Sequence, residues 1–155
     1  LLGKDMWLNT PVRAGAEYYR ELAFFLAEEV RPDIEIVVEV SNELWHTGFD
    51  GGDYAAVEAT RLGLPSRHCW AVLATRNASS AMRGAFAELR AADASRSLPR
   101  LQFFYSTQLS NVDVTAHSID VCDFGPMPVS EEEEQEQGDQ PGSGGAVARQ
   151  ILSVR

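Results

Sequence analysis

A run of β-branched residues limits what this chain can fold into more than any other feature. Ile34 to Val40 (Ile-Glu-Ile-Val-Val-Glu-Val) is short, bounded by Pro32-Asp33 on one side and Ser41-Asn42 on the other, and rich in Ile and Val. Such a run predicts a strand. Ile36, Val38 and Val40 share one face, whereas Val37, Glu39, Ser41 and Glu43 share the other if the strand continues. The first face needs apolar cover. The second carries carboxylates, which need polar partners or water.

The flanking segments supply the cover. Met6-Trp7-Leu8-Asn9 reads as the end of a short strand, stopped by Thr10-Pro11. Tyr19, Leu22, Ala23, Leu26 and Val30 recur at helical spacing within a helix near 15–30, and Pro32 ends it. After a loop at Gly48–Gly52, Asp53 is a fitting N-cap for a helix to about Leu62, with Gly63 at its end. Ser66 caps a longer helix from Arg67 to about Ala92, whose inner side runs through Trp70, Leu73, Ala74, Asn77, Ala81, Met82, Phe86 and Leu89. Further strands are expected at Leu101–Ser106 and Ile119–Phe124. Strands alternating with helices predict an α/β fold, a parallel sheet with crossover helices. Beyond Glu131 the character changes to an acidic run and then a Gly-rich stretch. Residues 1–129 therefore read as one domain, 130–145 as a flexible segment and 146–155 as a tail.

Composition excludes some functions. The net charge is −10, with no clustered basic surface for phosphates, so nucleic acid is not an expected partner. No apolar run reaches membrane-spanning length, so no membrane partner is expected. The histidines and the two cysteines have no metal-ligand spacing, so neither a metal nor another cofactor is expected. Cys69 and Cys122 are read as free, buried, apolar residues.

The polar end of the central strand is where chemistry is expected. Cleavage of a glycosidic bond ordinarily uses two carboxyl groups, one to protonate the leaving oxygen and one to attack carbon or activate water. Glu43 stands at the predicted strand end, next to Asn42, a neutral donor suited to a sugar hydroxyl, with Trp45 and Phe49 near in sequence as apolar walls.

The string Glu39-Val40-Ser41-Asn42-Glu43-Leu44-Trp45-His46 resembles the E-Y-S-N-E-V-W-N signature of barrel proteins related to the retaining glycoside hydrolases of clan A. Trp7-Leu8-Asn9-Thr10-Pro11 is similar to the strand that precedes the motif there, and the likeness extends over roughly residues 5 to 127. The resemblance implies a partial (β/α)8 barrel of the TIM type, covering about its third to sixth strands, because a whole one needs roughly 200 residues or more. It implies Glu43 as general acid/base, with Asn42, Trp45, Trp7, Asn9 and His46 binding a β-linked oligo- or polysaccharide. Glu39 matches an interior structural glutamate. An extracellular setting would suit the resemblance; the sequence itself leaves the compartment open.

The chain departs from the pattern at three points. His46 replaces an Asn, Val40 replaces an aromatic residue, and no apolar strand ending in a nucleophilic Glu is found; beyond these three, Phe124 stands near where clan members often carry a Tyr. The expected activity is therefore retaining glycan hydrolysis, incomplete in this chain. The alternative is a non-catalytic carbohydrate-binding or interaction module derived from such a barrel.

Overall fold

The computed structural model describes residues 3–105 together with 107, 118 and 122. The expected strand at 119–124, the acidic segment and the tail lie outside the described residues.

Six elements follow one another: β1 (Met6–Thr10), α1 (Ala16–Glu29), β2 (Glu35–Val40), α2 (Asp50–Arg61), α3 (Arg67–Ala92) and β3 (Arg100–Phe104). The strands form one sheet in the order β1-β2-β3, and both pairings are parallel. Trp7 lies opposite Val37 and Gln102, and Asn9 opposite Glu39 and Phe104. The architecture is thus α/β, with parallel strands joined by helical crossovers. It is an open sheet and not a closed barrel, and among the described residues β1 and β3 are its edges.

Sequential parallel strands need crossovers of one hand, which carries their helices to the same side of the sheet. The core lies on that side. Ile36 and Val38 are completely buried, in one cluster with Tyr19, Ala23 and Leu26 of α1 and Trp70, Met82 and Phe86 of α3. Burying one such side chain contributes roughly 1.5–3 kcal/mol. The expected stripe of α1 is present, with Tyr19, Ala23 and Leu26 innermost. Ser66 caps α3 as expected, its hydroxyl accepting from the Cys69 amide.

Four expectations need correction. Asn77 is exposed, and the inner side of α3 runs instead through Trp70, Ala71, Thr75, Ala78, Met82 and Phe86. The helix expected to start after Asp53 begins at Asp50, with Phe49 as its N-cap. Gly51 and Gly52, which suggested a loop, lie in its first turn, where the motif loop comes close. A Cβ on Gly52 would fall far inside contact distance of the His46 carbonyl oxygen, and one on Gly51 would meet Ser41 Oγ at 2.8 Å.

Third, the cysteines are not separate thiols: Cys69 and Cys122 form a disulfide. A separation of 53 residues without a diagnostic spacing hides such a pair from sequence reading. The disulfide ties the first turn of α3 to the chain beyond β3. A Tyr105 Oη–Ser118 Oγ hydrogen bond of 3.0 Å makes a second tie. Fourth, the alternation of β2 stops at Val40 and does not run on to Glu43.

Candidate functional site

The end of β2 is determined by backbone conformation. Ser41 (φ 62°) and Glu43 (φ 51°) both adopt the left-handed region. A residue with a Cβ pays roughly 1–2 kcal/mol to sit there, so the surroundings must impose it. Ser41 N donates to Thr10 O at 2.8 Å, which holds the first of the two against β1. His46 N donates to Glu43 O at 2.9 Å and closes a turn around the second. Leu44 points into the core and anchors the loop. Gly51 and Gly52 let the start of α2 approach the loop from the far side.

These constraints present the motif in two parts. Asn42 and His46 are exposed, and Glu43 and Trp45 are half-buried. Trp45, His46 and Phe49 form a continuous aromatic series, with ring centroids 5.3 Å apart for the first pair and 4.8 Å for the second. Among the described residues no basic side chain forms an ion pair with Glu43.

The other part stands on the sheet. Trp7 and Asn9 from β1 converge on Glu39 from β2, as the register requires of side chains on one face. Trp7 Nε1 and Asn9 Nδ2 each donate to Glu39 Oε2 at 2.9 Å. Asn9 Nδ2 also donates to Ser41 O at 2.7 Å, which joins the sheet cluster to the motif loop. The Trp7 ring meets Phe104 of β3 edge-on, centroids 5.1 Å apart. Glu39 is 6% exposed and Trp7 54%, so the carboxylate lies beneath an accessible indole. The two hydrogen bonds supply donors to one oxygen of the buried carboxylate.

The structure thus gathers Trp7 and Asn9 around Glu39, and Trp45 with His46. No described hydrogen bond or ring contact links Glu43 to Trp7 or Trp45, so the expected walls of a Glu43 concavity are not joined to it directly. The sequence did show that an interior Glu39 needs partners. It did not show that Trp7 and Asn9 are those partners, because the bonds cross 32 and 30 residues.

A crevice of about 610 Å³ opens elsewhere, lined by Val12, Val40, Glu58, Arg61, Trp70 and Asn77 among others. Val40 belongs to the helix-covered face, and none of the expected site residues lines it. Its two charges, Glu58 and Arg61, pair with each other at 2.7 Å, so this crevice has less distinctive chemistry than the motif end. Among the described residues no group of three or more His, Cys, Asp or Glu side chains is arranged to hold a metal ion. Neither family models, nor curated proteins, nor solved structures give a match to this chain.

Proposed function

We propose that the chain is part of a (β/α)8 barrel of glycoside-hydrolase type, carrying the acid/base half of a site that cleaves a β-linked glycan with retention. The parallel strands and their crossovers suit such a segment. The observation that carries the reading is the Asn9 amide, which donates both to Glu39 and to the carbonyl of Ser41, the first residue of the loop bearing Asn42 and Glu43. That link ties two strand ends and the motif loop into one polar assembly at the carboxyl edge of a parallel sheet, where α/β folds carry their sites. The left-handed residues on both sides of Asn42 support it further, since such strain clusters at functional positions.

In this reading Glu43 donates its proton to the leaving oxygen and later takes one from water. Asn42 binds the hydroxyl beside the reacting carbon, and Trp7, Asn9, Trp45 and His46 hold the sugar. The attacking carboxylate comes from another part of the barrel. The Cys69–Cys122 disulfide suits an oxidising, extracellular setting.

The isolated chain is expected to bind glycan without cleaving it, which also describes a non-catalytic binding module. The exposed Trp7 indole above a buried carboxylate favours that second role, being a binding surface independent of Glu43. Incubation of the isolated chain with aryl β-glycosides tests the division. Negligible turnover is expected; clear turnover abolished by Glu43→Gln would reveal a complete site and overturn it.

A further inference from the structure

Glu39 is assigned no ligand contact in the reading above, yet its geometry is unusual for a structural glutamate. Both of its side-chain donors, Trp7 Nε1 and Asn9 Nδ2, reach the same oxygen, Oε2. Among the described residues no donor reaches Oε1. Among those residues, a carboxylate that is 6% exposed thus has donors on one oxygen and none on the other, and a buried charged acceptor is costly without a donor. Its surroundings point to what would. Alternation and register put Glu39 on the sheet face that carries Val37, Gln102 and Phe104, opposite the helix-packed face of Ile36 and Val38. Trp7, on that same face, is more than half exposed.

The geometry points to Glu39 as a ligand-binding carboxylate, whose Oε1 accepts from a hydroxyl of a sugar ring seated on the exposed Trp7 indole. This rests on the carbohydrate reading and deepens it. A pyranose offers an apolar C–H face for an indole and hydroxyl donors at its rim. A carboxylate flanked by an amide and an aromatic ring matches both. Oε2 has a separate task. By accepting from Trp7 and Asn9 it orients the indole and the amide, so Glu39 both binds ligand and positions its neighbours. A cationic ligand fits less well, since the exposed surface at this point is a neutral indole.

The test uses the full chain with cellohexaose, xylohexaose and mannohexaose as probes, read by titration calorimetry. The wild type is expected to bind at least one of them. Glu39→Gln should weaken that binding roughly tenfold or more, the size of one hydrogen bond to a charged group. The control Asp33→Asn, at an exposed Arg31–Asp33 pair before the start of β2, at the end of the strand away from the motif loop, should bind as the wild type does. Wild-type binding with Glu39→Gln within twofold would overturn the role of Glu39 and leave the carbohydrate reading standing. No binding of any probe by the wild type would overturn both. Should Glu39→Gln fail to fold, as judged by circular dichroism, the carboxyl ¹³C resonance of Glu39 in the wild type gives the answer. It should move on saturation with the bound sugar, and an unmoved resonance overturns the proposal.

Discussion

Val38 and Glu39 are adjacent in β2 and both are almost wholly buried, but by different means. Val38 disappears into a cluster built by α1 and α3, where contact is non-directional and many residues share it. Glu39 disappears beneath two donors, each in a specific position on the next strand. The first kind of burial tolerates exchange of one apolar residue for another of similar volume. The second kind depends on one register and two partners. A strand with both can hold a polar site rigidly on one side because its stability comes from the other.

The largest test of this contrast is a pair of substitutions on β2. Ile36→Ala removes a fully buried side chain and should cost about 2–5 kcal/mol in urea unfolding. Val37→Ala, on the polar face and only half-buried, should cost less than about 1 kcal/mol. Equal losses would show that both faces are packed alike.

A smaller effect should follow where the motif loop meets α2. Gly52→Ala drives a methyl group into the His46 carbonyl and should destabilise by about 1–3 kcal/mol. Amide shifts in ¹H–¹⁵N spectra should concentrate in 41–46. Gly51→Ala should be milder, since its nearest neighbour is the Ser41 side chain, which can rotate away. Shifts spread evenly over β2 and α3 would mean that the loop is not held by this approach.

The smallest effect is electrostatic. The hydrogen bond from Arg20 holds Glu88 below the ordinary glutamate range, and that from Arg61 does the same for Glu58. A carboxyl depressed in the folded state contributes stability that is fully present above its unfolded pKa. That contribution is lost as pH falls through the folded value. The Arg20–Glu88 pair is solvent-exposed and Glu58 half-buried beside an exposed Arg61, so the loss should be slight and weakened by salt. Melting temperatures followed into acid should show Glu88→Gln less acid-sensitive than the wild type. The deficit of Ile36→Ala should remain nearly constant with pH, as expected for packing.

Much of the scaffold was legible because periodicity is local. The stripe of α1, the Ser66 cap of α3, the β-branched run of β2 and the parallel arrangement all follow from residues near one another in the chain. The need of Glu39 for hydrogen-bond donors followed as well, from its place on a strand. What tertiary structure alone decided depends on distant partners. Trp7 and Asn9 reach Glu39 only through the β1–β2 register, and Cys69 meets Cys122 across a separation of 53 residues. The left-handed turns at Ser41 and Glu43 belong to the same class. Propensity opposes them, and they exist because the Thr10 carbonyl, the buried Leu44 and the close approach of α2 outweigh it. Side-chain alternation reveals a strand, but where the strand stops is decided by what packs against its end.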